Sequence, residues 1–154
     1  MSVDNILTKQ GYDKLKEELD HLRKVSRVEV AEKIREAREV GGDYQENSLY
    51  DTALEEQGYI EGRISEIETI LSGSVIADTK DFDGTVQVGR TVIVEYAGRT
   101  DEFTIVGTSE ADPSRKFISN ESPVGKALLG LKIGDEIEVK TPLIVAVYKI
   151  IDIK

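Results

Sequence analysis

The sequence has no cysteine and no tryptophan, one histidine and three prolines in 154 residues. Lack of cysteine excludes a disulfide scaffold and a thiolate-held metal. A lone His21 excludes any site built on two imidazole ligands. Long apolar runs are missing as well. The longest, Leu143 to Val147, has five residues, whereas a membrane-spanning helix needs about 20. The opening Met-Ser-Val-Asp-Asn has neither the basic nor the apolar stretch of a signal peptide. A soluble cytoplasmic protein without a membrane partner is therefore expected. Positive charge is short too: 20 Lys+Arg stand against 30 Asp+Glu, for a net charge of −10. Such a balance favours solubility and argues against reading DNA sequence, which needs a basic face.

With 39% apolar residues the chain can bury a core and does not read as a disordered acidic tail. Its pattern changes near Gly73. From Thr8 to Val40, apolar or small residues recur at helical spacing, at Tyr12, Leu15, Leu19, Leu22, Ser26, Val30, Ile34 and Ala37. Thr8 suits the N-cap, and Gly41-Gly42 stops the helix. At about 1.5 Å per residue this helix is roughly 45–50 Å long. Tyr50, Ala53, Gln57, Ile60, Ile64, Ile67 and Leu71 form a second seam with alternating steps of three and four. Paired antiparallel, facing positions of the two seams total 89 to 91 at every layer, from Val40 opposite Tyr50 to Leu19 opposite Leu71. The four-residue steps at 22, 26 and 30 are a stutter, which locally unwinds a coiled coil.

The fold class expected is α+β. Residues 1–74 form an antiparallel α-helical coiled-coil hairpin with an acidic tip near 43–46. Residues 75–154 form a small, mostly antiparallel β domain with one short helix. Its strands are read at Thr85–Val88, Thr91–Tyr96, Glu102–Gly107, Glu136–Val139 and Ile144–Ile153, all rich in Val, Ile and Thr. Ser122-Pro123 starts the short helix as N-cap and first residue, covering Val124 to Leu129. The hairpin satisfies its own seam, so the free protein is expected to be a monomer.

Charge along the hairpin is uneven. Residues 23–38 hold six bases (Arg23, Lys24, Arg27, Lys33, Arg35, Arg38) and three acids, net +3; residues 39–56 hold six acids and no base. At the hairpin centre stands Gly42-Asp43-Tyr44-Gln45-Glu46-Asn47. Asp43 and Glu46 are three apart and can share a face. Two readings stay open on spacing alone. Asp43 caps a helix with Glu46 as its capping-box partner, or the two carboxylates are held together by a hard cation such as Mg²⁺, with the remaining ligands supplied from elsewhere.

Over nearly its whole length the chain resembles the bacterial Gre transcript-cleavage factors, the GreA branch more than GreB. The resemblance is carried by Thr8-Lys9-Gln10-Gly11, Leu15-Lys16-Glu17-Glu18-Leu19, Glu36-Ala37-Arg38-Glu39 and the tip motif. It continues in Tyr50, Glu56-Gln57-Gly58, Glu61-Gly62-Arg63-Ile64, Ile118-Ser119, Ser122-Pro123-Val124-Gly125-Lys126-Ala127-Leu128-Leu129-Gly130 and Thr141-Pro142. It implies a coiled coil that enters the secondary channel of bacterial RNA polymerase and an FKBP-like C-terminal domain that docks at the rim. Asp43 and Glu46 would then be the catalytic acids, sharing a Mg²⁺ ion that the polymerase holds; the free protein would bind none. The backtracked RNA 3′ end of the elongation complex would be cut by the polymerase itself, so the chain would not be an enzyme alone. Tyr44, Asn47, Arg27, Lys33, Arg35 and Arg38 become candidate contacts to RNA or polymerase. Ser122, Pro123 and Lys126 become candidate docking residues.

One departure from the family pattern is an added residue, Gly41-Gly42 where the family usually has a single Gly. It keeps open an alternative, a channel-binding inhibitor that does not stimulate cleavage. A third reading, a peptidyl-prolyl isomerase or holdase on the C-terminal domain, needs an aromatic-lined pocket. Phe82, Phe103, Phe117, Tyr96 and Tyr148 would have to supply it, and the core needs most of them.

Overall fold

The computed structural model describes residues 5–40 and 47–154. Asp43, Tyr44, Glu46 and the Gly41-Gly42 pair lie outside the described residues. The chain forms two compact units, one of Asp13–Gly73 and one of the described residues up to Tyr12 together with Ser74–Lys154.

The first unit is the helical hairpin. Helix α1 (Lys9–His21) continues through a wide π turn (Leu22–Ser26) into α2 (Arg27–Val40), and α3 (Asn47–Ser72) returns. Thr8 caps α1 as expected: its hydroxyl accepts from the Gly11 N–H at 3.0 Å, and its carbonyl from the Tyr12 N–H. The expected stutter coincides with the π turn, a locally under-wound stretch of helix. Leu19, Val30, Ile60, Ile64 and Ile67 form the buried seam, with Leu15, Leu22 and Leu71 packed against it. Gln57 is half-buried in the seam and His21 is exposed.

The second unit is a five-stranded sheet in the order β5-β4-β3-β7-β6. Its strands are β3 (Thr91–Tyr96), β4 (Arg99–Val106), β5 (Phe117–Ser119), β6 (Glu136–Lys140) and β7 (Val145–Ile153). All pairs are antiparallel except β4–β5. The helix α4 (Pro123–Leu128) starts one residue earlier than expected. Val92 and Val94 alternate into a core with Val86, Ile105, Leu128, Ile150 and Ile153. The expected strand at Thr85–Val88 is not formed. Thr85 makes a single bridge to Lys132, and Asp83, Gly84 and Gly89 bend the segment through a turn and two positive-φ glycines (φ +87° and +92°).

Three short strands were not among those expected from the sequence: β5, and the pair in which β1 (Asn5–Leu7) runs parallel to β2 (Ser74–Ile76). Three residues carry too little periodicity to register, and their partner is almost 70 positions away. Leu7 is completely buried.

The β3–β4 turn supplies a stability prediction. Ala97 and Gly98 both have positive φ, 51° and 77°, the conformation of a type I′ turn, which favours Asn-Gly. Alanine in this region is strained, whereas asparagine tolerates it. Ala97→Asn is expected to stabilise the protein by about 0.5–1 kcal/mol, read as a higher urea midpoint with an unchanged slope.

Candidate functional site

The acidic tip motif occupies the connection between α2, which ends at Val40, and α3, which begins at Asn47. What the structure adds is the shaft that carries this connection. The two helices are joined along their flanks by side-chain pairs in antiparallel register. Arg27 places Nε and Nη2 on the two oxygens of Glu61 at 2.8 and 2.9 Å. Lys33 Nζ reaches both oxygens of Glu56 at 3.0 and 2.9 Å, and Arg23 pairs with Glu68. Within the first helix, Arg35 pairs with Glu32 and Glu39, and Lys24 with Asp20.

These pairs correct the expectation of a basic shaft. The net charge of +3 counted one helix alone, and the facing helix brings Glu56, Glu61 and Glu68 against it. Arg27, Lys33 and Arg35, candidates for contact with RNA, spend their donors on neighbouring carboxylates. Arg38 is different. Its described partner is Tyr50: the guanidinium lies 5.6 Å from the ring centroid and donates to the hydroxyl at 3.4 Å. Among the candidate cations it is the one closest in sequence to the acidic tip, and no carboxylate pairs with it among the described residues.

Farther from the tip, Arg63 grips Glu18 through two bonds of 2.6 and 2.9 Å and also reaches Glu66. The Arg63 hydrogen bond holds the Glu18 carboxyl below its ordinary range, outweighing burial, which acts in the opposite direction. Glu61 and Glu32 are lowered in the same way by Arg27 and Arg35. A carboxylate whose folded pKa lies below its unfolded value of 4.5 stabilises the fold above that pH, and the stabilisation is lost as pH falls through the folded value. Glu18→Gln should therefore lower the hairpin's stability at pH 7 by roughly half a kcal/mol after solvent screening. The difference from the parent should vanish in melts well below pH 4.5.

In the second unit Ser122 is a cap, as its sequence position implied. Its hydroxyl accepts from the Gly125 N–H at 3.0 Å and donates to the Ser119 carbonyl at 2.7 Å. A Cβ on Gly125 would sit 2.0 Å from the Ser119 carbonyl oxygen, so the Ser-Pro-x-Gly run sets the close approach of α4 to β5. Pro123 and Lys126 are exposed, and these two of the three docking candidates are free to meet another molecule. The five aromatic residues are engaged internally. Tyr148 packs against Tyr96 in a tilted contact and against Phe103 edge to face, with centroids 5.3 and 6.2 Å apart. Arg90 covers Phe82, and Arg115 covers Phe117.

Sequence reasoning missed Glu110. Its carboxylate accepts from the Thr8 N–H at 2.9 Å, from the Thr8 hydroxyl and from the Gly107 N–H at 3.2 Å. A signal was present: Gly11 stands in the first turn of a helix, where glycine costs about 1 kcal/mol relative to alanine. The structure supplies the reason, because a Cβ there would overlap the Glu110 carboxylate, 1.8 Å from its Oε1.

Two family models match the chain: "Transcription elongation factor, N-terminal" over residues 5–76 and "Transcription elongation factor, GreA/GreB, C-term" over residues 80–154. The transcription elongation factor GreA of Thermoanaerobacter pseudethanolicus is 48% identical, covering 100% of this chain and 99% of its own. That of Macrococcus caseolyticus is 50% identical over 92% of this chain and 90% of its own. Among solved structures, GreA factor homolog 1 of Thermus thermophilus is 31% identical over 98% and 99% of the two chains, with a TM-score of 0.46.

Proposed function

The chain belongs to the GreA/GreB family of transcription elongation factors, and from that premise we propose that it acts in trans inside RNA polymerase. In this reading the helical hairpin enters the secondary channel of an elongation complex and brings Asp43 and Glu46 to the backtracked RNA 3′ end. The observation that carries the proposal is the position of the pair. The two acids stand in sequence between Val40, the last residue of α2, and Asn47, the first of α3, beyond a shaft whose bases are largely paired with carboxylates. The described hairpin, Lys9–Val40 with Asn47–Ser72, holds 10 Lys+Arg and 14 Asp+Glu, net −4, so it offers no basic stripe for indiscriminate phosphate binding.

Two carboxylates are too few to close a metal site, and they suit a Mg²⁺ ion that keeps its other ligands from elsewhere. Asp43 and Glu46 would help hold the polymerase's ion, which supplies an acidified water for hydrolysis when bound. Arg38, uncompensated among the described residues, would attract the phosphate next to the cut. Tyr44 and Asn47 would contact RNA or polymerase at the tip. Pro123 and Lys126 would meet the channel rim, on a segment that Ser122 holds rigid. The cut itself belongs to the polymerase, and the chain acts as its cofactor in the cytoplasm.

The test uses a polymerase stalled so that it backtracks. With Mg²⁺ present, adding the protein should release short RNA fragments bearing the original 3′ end and restore elongation. Absence of such fragments, under conditions where the protein demonstrably binds the stalled complex, would refute the proposal.

A further inference from the structure

The wide turn at Leu22–Ser26 is not a fraying or a break. The Arg27 N–H bonds to the Leu22 carbonyl, five residues back, where an α-helix bonds four back. The backbone on either side stays helical, with φ/ψ of −62°/−45° at His21 and −60°/−41° at Arg27. One residue more than an α turn needs is thus housed inside a continuous helix. None of the five residues is fully buried, and His21 Nδ1 lies 3.4 Å from Ser26 Oγ across the turn.

The pairing of the hairpin changes at the same place. In and beyond the turn toward the tip, the positions of paired residues total 88 to 91: Arg23 with Glu68, Arg27 with Glu61, Lys33 with Glu56, Arg38 with Tyr50. Before the turn, the pair Glu18 with Arg63 totals 81, a diagonal reach along α3. The apolar seam runs through the turn, while the charge pairs that α1 makes with α3 are offset from those of α2.

We propose that the Leu22–Ser26 turn is a joint, a surplus residue that separates the packing of α1 from that of the α2–α3 arm. The arm keeps its seam and its ladder of charge pairs, and α1 adjusts against α3 without disturbing them. The proposal rests on the hairpin alone and is independent of what the tip does.

Deleting Val25 tests it in the full chain. The same Arg27 N–H and Leu22 carbonyl then form an ordinary four-residue bond, and the helices on both sides keep their phase. Far-UV circular dichroism should show unchanged helix content and a midpoint within about 5 °C of the parent. Deleting Ala31, also exposed but inside regular α2, turns Ile34 and Ala37 about 100° off the seam and should lower the midpoint by about 10 °C or more. Equal losses for the two deletions would overturn the proposal. A second measurement needs no variant: amide exchange at Val25–Arg27 in the parent should run at least about tenfold faster than at Val30–Ala37. Uniform protection through the turn would also overturn it.

Discussion

Replacing Asp43 and Glu46 together by alanine is expected to abolish stimulated RNA cleavage while leaving the protein folded and bound to polymerase. The expectation follows from what a catalytic carboxylate does. A preorganised charge at the reacting centre contributes on the order of 10²–10³ in rate when one such group is removed. The two acids act on the same ion, so the double variant should lose at least as much as either single one. Fold stability should hardly move, because the seam that holds the hairpin lies in Val30, Ile34, Ala53, Ile60, Ile64 and Ile67, all buried along α2 and α3. The measurement is the yield of short 3′ fragments from backtracked complexes, run beside a competition assay for polymerase binding. Cleavage that survives the double substitution would remove the two acids from the mechanism. Loss of binding together with cleavage would make them docking residues instead.

Gly107→Val is expected to have the largest effect on stability of any single change considered. A Cβ at position 107 would stand 1.7 Å from the Ile6 carbonyl oxygen and 2.8 Å from its carbon. Both are backbone atoms of β1, so no side-chain rotation relieves the overlap. To make room, β1 must leave its place beside β2, and the completely buried Leu7 goes with it. Exposing one leucine costs about 1.5–3 kcal/mol, and displacing Gly107 also breaks its N–H bond to Glu110, for a total on the order of 3 kcal/mol or more. Urea unfolding read by near-UV signals of the β unit gives the number, and limited proteolysis near residues 5–7 shows whether β1 has detached. Glu110→Ala should point the same way with a smaller loss, because it removes the acceptor without forcing the backbone apart. A loss below about 1 kcal/mol for Gly107→Val would show that β1 is not held where it lies.

Much of the helical hairpin is legible without coordinates. Helix packing follows a local spacing rule, and the apolar positions of α2 and α3 obey it over their whole length. Thr8 and Ser122 mark the starts of α1 and α4 for a local reason, their hydroxyls accepting from the first turn of each helix. The stutter at 22, 26 and 30 forecast a local unwinding, although not that a complete π turn would form. The β unit is harder to read. Four of its strands coincide with runs of Val, Ile or Thr, yet Thr85–Val88 has the same composition and forms only a bridge, because Gly84 and Gly89 turn the backbone at both ends.

By itself the sequence determined the hairpin, the register of α2 against α3 and the caps that start α1 and α4. Each depends on residues within about one or two helical turns of one another, or on a constant pairing of two periodic seams. The tertiary structure alone decided the charge of the shaft, the recruitment of residues 5–7 to the β unit and the meaning of Gly11, Gly107 and Glu110. In each of these the partner lies 23 to 102 positions away, with no period to announce it. The +3 of residues 23–38 is outweighed once α3, net −5 over Asn47–Ser72, sets Glu56, Glu61 and Glu68 against it. A glycine that weakens its own helix proves to be space for a carboxylate from the other end of the chain.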